Sequence, residues 1–239
     1  MFRLRLILSI VSSLWFLFAC TPPPLYLKKF GPTIPTRAEG LKGKTVYVAP
    51  FEDKTDPDAD LGDSKALDDP SGFKTKKLDA SFEATWEKER DAKAEQIPEE
   101  KYIQVGGVRN SFGMTVQDVM SVNSPAEWLS ESLAVELQAQ GAKLVKSPAE
   151  ADVAVSGVVK YVYFDQYMAT WCNAVVELKI TPRGGLTKQV RIHTSGGGGP
   201  FDDSPYEQYE ILTQCEQRFS VHALENISEA AGAVVAQTQ

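Results

Sequence analysis

The sequence predicts an α+β domain: a mixed, mostly antiparallel sheet with helices packed on one face, a two-layer sandwich with an acidic, partly helical insertion. Two capped segments with apolar residues at helical spacing predict the helices, and extended segments rich in β-branched residues lie between them. The 239 residues are 43% hydrophobic, enough for one buried core. The net charge of −7 argues against nucleic acid as a partner, because its phosphates would repel an acidic surface.

The N-terminus has the pattern of a secretory signal over residues 1–19. Two arginines precede an apolar run over 6–18, which is too short to span a bilayer. The run ends in Leu17-Phe18-Ala19-Cys20, which resembles the lipobox of bacterial lipoproteins. The resemblance implies cleavage between Ala19 and Cys20 and lipidation of Cys20 with acyl chains such as palmitate. The alternative is an ordinary signal peptide followed by an incidental cysteine.

The residue after Cys20 indicates in which bacterial membrane the lipid would be anchored. Thr21 stands where an Asp would resemble the inner-membrane retention signal of enteric bacteria. By that analogy we expect a protein anchored by lipid in the outer membrane and facing the periplasm. Two or three acyl chains hold a protein durably, whereas a single chain holds it reversibly.

A proline-rich segment over 20–43 follows the expected cleavage site. Proline fixes φ and lacks the backbone N–H, so the five prolines predict a semi-rigid tether between membrane and domain. The alternative is that the segment packs along the domain surface. Four apolar residues fit that alternative: Leu25, Tyr26, Leu27 and Phe30.

A single α+β domain is expected over 44–239, with an acidic insertion over 52–100. Residues 44–50 are β-branched and aromatic and predict the first strand, which a proline ends. The insertion holds 16 acidic and 8 basic residues, and its first part predicts a solvated loop. In its second part Leu78, Phe82 and Trp86 recur every four residues, which predicts a helix over 79–96 docked on the domain.

Two helices with N-terminal caps frame the remaining extended segments. Ser124 followed by Pro125 predicts the start of a helix with a leucine stripe, which Gly141 ends. Ser204 and Pro205 predict the start of a second helix, which reaches about residue 236. Strands are expected at 102–105, 144–145, 152–167, 173–181 and 186–194, and the four glycines at 196–199 are expected to form a hinge.

Several stretches resemble the YajG-type family of bacterial outer-membrane lipoproteins. The resemblance lies in patches over about residues 44–195. The stretches are 46–54 (VYVAPFEDK), 105–110 (VGGVRN), 126–129 (AEWL), 137–141 (LQAQG) and 151–157 (ADVAVSG). The resemblance implies a lipoprotein that faces the periplasm and has no catalytic motif to carry over.

Two cysteines remain if Cys20 is lipidated, and the compartment is oxidising. Strand alternation places Cys172 on the face of Val176 and Leu178, toward the helices, and Cys215 lies on or beside the buried face of the last helix. We therefore expect a Cys172–Cys215 disulfide that ties this helix to the sheet. Two buried, reduced thiols are the alternative.

The sequence offers no motif for catalysis, a cofactor or a metal ion. The glycine-rich stretch 106–113 lacks the spacing of a phosphate-binding loop, and no nucleophile elbow or zinc-protease motif occurs. Cys215 and His222 lie about 10 Å apart along a helix axis, too far for one zinc ion. We therefore expect no cofactor, no metal site and no enzymatic activity. A weak divalent-ion site in the acidic stretch 56–63 is the alternative, although Leu61 and Leu67 stand where a calcium loop has Gly and Glu.

Three residues are candidates for binding. Arg109 and Asn110 lie on a glycine-bracketed turn, although an Asn that satisfies its own turn is the alternative. Phe164 has the opposite strand parity from Tyr161 and Tyr163, so both faces of the sheet carry aromatic residues. The face away from the helices is either exposed to a partner or covered by the insertion helix. The aromatic series is Tyr161, Tyr163, Phe164, Tyr167 and Trp171.

The expected function is therefore non-catalytic binding of an envelope protein partner, or a role in envelope assembly. Alternatives are an accessory lipoprotein of a transport or secretion machine and a lipoprotein that binds a small ligand, and self-association into a homo-oligomer is a further alternative. A pocket near Arg109 would favour a small ligand, whereas a flat aromatic face would favour protein assembly.

Overall fold

The computed structural model describes residues 22–35, 38–56, 78, 81–199 and 204–237. The expected signal peptide, Ala19, Cys20 and residues 57–77 of the insertion lie outside this part of the chain. The helices of the described part are α1 (Ser81–Ala94), α2 (Pro125–Ala139) and α3 (Pro205–Gln237). Its strands are β1 (Thr45–Val48), β2 (Glu52–Asp53), β3 (Ile103–Arg109), β4 (Thr115–Ser121), β5 (Lys143–Leu144), β6 (Val153–Tyr167), β7 (Ala169–Pro182) and β8 (Lys188–Gly199). None of these helices combines the length and apolar composition needed to cross a membrane.

Strand β6 is the centre of the sheet. One of its edges pairs with β7 along its whole length in antiparallel register, and β7 pairs with β8 in the same way. The other edge pairs in turn with β1, β2 and β3, all parallel. Strand β4 is antiparallel to β3, and β5 is parallel to β1. The sheet is therefore mixed with long antiparallel pairs, which confirms the predicted α+β class.

A bulge in β6 decides which of its side chains face the helices. The register with β7 shifts between Val159 and Tyr161. Val159 is buried before the shift, and Val162 and Phe164 are buried after it, so the inward parity changes at Lys160. Tyr161 consequently lies on the outer face, which is the face away from α2 and α3.

Helices α2 and α3 cover the inner face of the sheet. The Ser124 hydroxyl accepts a hydrogen bond from the Ala126 N–H at 3.1 Å, so this residue is the N-cap of α2, as predicted. The predicted leucine stripe, Leu129, Leu133 and Leu137, is fully buried. Periodicity and capping therefore located this helix correctly.

A disulfide joins Cys172 of β7 to Cys215 of α3, with the two Cα atoms 6.3 Å apart. Both cysteines are buried at the interface between the sheet and the helix. The pairing predicted from strand parity and helix face is confirmed.

The glycines at 196–199 do not form the predicted hinge, because they are the last residues of β8. Gly196 pairs with Cys172 and lies directly under α3. A Cβ atom at Gly196 would lie 2.8 Å from the Gln214 Cβ and 3.0 Å from the Cys172 Sγ. Glycine is therefore needed here for close approach of strand and helix rather than for a bend.

Segment 22–35 packs on the domain, so the structure favours the second alternative for these residues. The Leu25 N–H donates to the Met120 carbonyl at 2.7 Å, and the Val122 N–H donates to the Leu25 carbonyl at 2.9 Å. Leu25 thereby forms a parallel bridge with Ser121 at the edge of β4. Because Leu25 is buried in the core, segment 22–35 is part of the folded domain.

A buried ion cluster fastens this segment to both helices. The Lys29 Nζ lies 2.8 Å from the Thr33 Oγ1, 2.8 Å from the Glu216 Oε2 and 2.9 Å from the Glu136 Oε1. The three donors of the ammonium group therefore all have acceptors. Glu136 belongs to α2 and Glu216 to α3, so one lysine joins three parts of the chain. Burial raises the pKa of Glu216, against the opposite effect of Lys29.

Helix α1 of the insertion docks as predicted. Trp86 is fully buried and stacks on Tyr209 of α3, with the ring centroids 5.2 Å apart. Its indole N–H donates to the Tyr26 carbonyl at 2.8 Å, and Phe82 stacks on Phe30. Helix α1 therefore lies against α3 and segment 22–35, on the helical side of the sheet.

Candidate interaction surface

The outer face of the sheet carries a cluster of aromatic residues, which we call the aromatic face. The Tyr161 and Tyr163 rings are 5.9 Å apart, and Trp171 is 47% exposed. Because α1 packs on the helical side, it does not cover this surface, which decides against that alternative. The aromatic face comprises Tyr161, Tyr163, Tyr167 and Trp171 together with the ion pair Arg109–Asp165.

Arg109 is the last residue of β3 and is held from two sides. Its Nε donates to the Asp165 Oδ1 at 2.7 Å, and its Nη2 donates to the Asp165 Oδ2. Its guanidinium carbon lies 4.9 Å from the centroid of the Tyr167 ring, a cation–π distance. The hydrogen bond from Arg109 to Asp165 raises the pKa of Arg109. Arg109 therefore contacts both Asp165 and Tyr167 on the aromatic face, where its charge is paired with that of Asp165.

Asn110 supports the turn that it begins. Its side-chain oxygen accepts hydrogen bonds from the N–H groups of Phe112 at 3.0 Å and Met114 at 3.1 Å. This arrangement is the turn in which an Asn satisfies neighbouring backbone donors. The structure thus gives Asn110 the structural role that was the alternative to binding.

Phe164 is not accessible to a partner, which corrects its selection as a binding candidate. The ring is fully buried in the core, on the inner face of β6. Strand alternation gives the parity of Phe164 relative to Tyr161 correctly, but it does not decide which of the two faces carries the helices. The bulge at Lys160 turns Phe164 inward and leaves the tyrosines outside.

The outer face continues beyond the aromatic face as a groove. The groove has a volume of about 630 Å³ and crosses β6, β7 and β8. Arg109 does not line it, so the predicted link between a pocket and this arginine is not found here. Its lining includes Ser156, Val158, Glu177, Lys179, Gln189 and Arg191.

Two neighbouring turns expose apolar side chains at one end of the sheet. Strands β3 and β6 are parallel and end together, and the Tyr167 hydroxyl donates to the Ser111 carbonyl at 3.4 Å. Phe112 is 84% and Met168 83% exposed. We call this group the apolar tip: Phe112, Met114, Val116 and Met168. The apolar tip was not predicted because β4 was not predicted: residues 115–119 (TVQDV) do not alternate between apolar and polar side chains.

The described residues also bear on metal binding. No group of three or more His, Cys, Asp and Glu side chains within them is placed to hold a metal ion. His193 lies on the outer face with its Nε2 3.4 Å from the Asn173 Oδ1, whereas Cys172 lies on the inner face.

Comparisons with known proteins give only distant similarities. No family model matches the sequence, and no curated protein matches it. One solved structure, of an uncharacterized protein, has 11% identity and a TM-score of 0.48, covering 87% of this chain and 99% of that chain. A DUF330 protein of Xanthomonas campestris has 10% identity and a TM-score of 0.45, covering 91% and 98%.

A third structure, described as a "putative lipoprotein" from Caulobacter crescentus, has 10% identity and a TM-score of 0.30, covering 56% of this chain and 91% of that chain. Similarities at this level carry no argument about function. The resemblance to the YajG-type family therefore stays a prediction.

Proposed function

We propose that the protein is a non-catalytic lipoprotein of the bacterial envelope that binds a protein partner through its aromatic face. The proposed anchor is lipid on Cys20 in the outer membrane, with the domain facing the periplasm. The signal-like N-terminus and the lipobox-like residues 17–20 support this anchor. The partner belongs to an envelope assembly, transport or secretion machine.

The aromatic face, which none of the described helices covers, is the observation that carries the proposal. Tyrosine, tryptophan and arginine are the residues most enriched in binding hot spots. Tyr161, Tyr163 and Trp171 stand on a paired sheet, so their backbone is already ordered before a partner arrives. Such side chains supply a large contact area at a low cost in conformational entropy.

The groove favours a second candidate function, the binding of a small ligand. Its volume of about 630 Å³ falls within the range of ligand sites. Its lining, however, includes four charged side chains, whereas ligand sites are mostly apolar with only a few polar groups; the four are Glu52, Glu177, Lys179 and Arg191. The aromatic face is therefore the better supported of the two surfaces.

Site-specific photo-crosslinking in intact cells tests the proposal. A photoreactive residue replaces Trp171 on the aromatic face, and in a matched control it replaces Gln138, an exposed residue on helix α2. We expect a discrete crosslinked species with a second protein from position 171 and none from position 138. Equal crosslinking from both positions, or none from position 171, would refute a partner surface on the aromatic face.

A binding measurement with the captured protein makes the test quantitative. Trp171→Ala should weaken binding by about 2 kcal/mol or more, or roughly thirtyfold, if Trp171 is a hot spot. Gln138→Ala should leave the affinity unchanged. Arg191→Ala, which alters only the groove, separates the two surfaces: a larger loss from this variant than from Trp171→Ala would move the binding site to the groove.

A further inference from the structure

We infer that the apolar tip rests on the membrane that holds the anchor, with its side chains in the boundary between headgroups and acyl chains. The inference rests on the proposed lipidation of Cys20 and adds a second membrane contact at a defined place on the domain. Its occupant is a lipid surface rather than a protein.

The chemistry of the apolar tip suits a lipid surface. Phe112 and Met168 project from adjacent turns, and Met114 and Val116 extend the same exposed apolar group. The surrounding stretches, 110–117 and 166–172, contain no charged residue, so no ion has to be desolvated when they enter the boundary. Tyr167 borders the tip on the side of the aromatic face, and tyrosine is enriched where apolar and aqueous phases meet.

The direction of the N-terminal segment points the anchor toward the apolar tip. Strand β4 begins at Thr115 beside the tip and ends at Ser121, where Leu25 pairs with it. This bridge is parallel, so the described residues that precede Leu25, 22–24, run toward the tip end of the sheet. The edge strand thus directs the N-terminal end of the described chain toward the apolar tip.

The distances are compatible with this placement. Six residue steps separate Thr115 from Ser121, about 20 Å along a strand. Five steps separate Leu25 from Cys20, which reach about 18 Å at most. A lipid on Cys20 therefore keeps the domain against the bilayer, and the reach of the anchor is matched to the strand that leads to the apolar tip.

The ion cluster keeps segment 22–35 from detaching from the domain, which would increase the distance that the chain can span between the domain and Cys20. Lys29 is buried between Glu136 and Glu216, and Leu25 and Leu27 are buried in the core. Peeling the segment away would expose these leucines and leave two buried carboxylates without their cation. The attachment point is therefore fixed relative to the sheet.

Fluorescence quenching in vesicles tests the inference. The full-length lipidated protein is reconstituted into phosphatidylethanolamine–phosphatidylglycerol vesicles whose acyl chains are brominated near the headgroups. Met168→Cys carries an environment-sensitive fluorophore; with Cys20 lipidated and the disulfide intact, it is the only free thiol. The matched control is Leu186→Cys, because Leu186 is 90% exposed and lies in the turn at the opposite end of the sheet.

We expect strong loss of fluorescence at position 168 and none at position 186. Two further substitutions, Phe112→Ser and Met114→Ser, change exposed side chains and should reduce the quenching at position 168 while the circular dichroism spectrum stays the same. Equal quenching at positions 168 and 186, or none at 168, would overturn the inference.

Flotation of the same vesicles separates this inference from the anchor on which it rests. Protein that floats with the vesicles without quenching at position 168 retains its anchor and refutes only the contact by the tip. Protein that does not float refutes the lipid anchor, and the inference fails with it.

Discussion

Replacing Lys29 by methionine would test how segment 22–35 is held. The variant keeps an apolar side chain of similar length but removes the ammonium group from between Glu136 and Glu216. Both carboxylates are almost fully buried, with 0% and 1% of their side chains exposed. In the variant each would have to be charged without its cation or be protonated.

The expected cost follows from this burial. Removing one partner of a buried ion pair destabilises a protein by about 3–5 kcal/mol, because the remaining charge is left uncompensated. That loss is a large fraction of a typical unfolding free energy of about 5–15 kcal/mol. Lys28→Met is the matched control: its partner is Glu89, both side chains are more than a third exposed, and such pairs contribute about 0–1 kcal/mol.

The loss should also depend on pH. Burial raises the pKa of Glu216, and Lys29 now opposes that rise, so the pKa should rise further in the Lys29→Met variant. A carboxyl group whose pKa is higher in the folded state favours folding below its unfolded pKa and loses that contribution as the pH rises through the folded value. The deficit of the variant should therefore be larger at pH 8 than at pH 5.

Urea unfolding at both pH values measures these free energies. Adding Glu216→Gln to Lys29→Met removes one uncompensated carboxylate and should recover part of the loss at pH 8. A Lys29→Met variant that costs no more than Lys28→Met, or a deficit that is the same at both pH values, would refute this account of the cluster.

Three further changes test other parts of the fold. Changing both cysteines of the Cys172–Cys215 disulfide to alanine should lower the free energy of unfolding by about 4 kcal/mol in the chain-entropy model, measured in urea; equal midpoints for the oxidised and variant proteins would contradict it. Gly196→Ala should destabilise the protein by about 1–3 kcal/mol, because the added methyl group overpacks the space under α3. Gly232→Ala, at a position with open space within that helix, should stabilise it by about 0.5–1 kcal/mol. Changes in melting temperature of the same sign for both variants would contradict the packing argument. Hydrogen bonds from Thr45 lower the pKa of Asp152, so this carboxylate stabilises the fold above its unfolded pKa and the contribution is lost as the pH falls. The Asp152→Asn variant should therefore melt at a lower temperature at pH 7 and lose less stability than the wild type between pH 7 and pH 3. An unchanged response to acid would count against this role.

The elements that the sequence predicted well are those with local causes. Ser124 caps α2 through its own neighbour, and the stripe of leucines repeats within that one helix. The disulfide was predictable because strand parity and helix face are both short-range patterns. The stacking of Trp86 follows from the same kind of spacing.

The features that the sequence did not predict depend on distant residues. Lys29 lies in a segment with five prolines, and its burial follows only when helices α2 and α3 bring their carboxylates to it. The composition around Leu25 predicts a tether, whereas in the structure Leu25 pairs with the edge strand β4. Phe164 was chosen as a binding candidate because strand parity does not decide which face of the sheet carries the helices, and after the bulge at Lys160 its side of β6 is the inner one.

The long sequence separation within the ion cluster has a consequence for the proposed export. Glu216 lies 187 residues after Lys29, so a chain exported N-terminus first would complete the ion cluster only after most of it had crossed the membrane. Until then segment 22–35 would lack this attachment to the helices, and the proposed processing and acylation at Cys20 would come first. Under the proposed export, maturation of the N-terminus and completion of the fold would thus be ordered by the positions of the partners of one lysine.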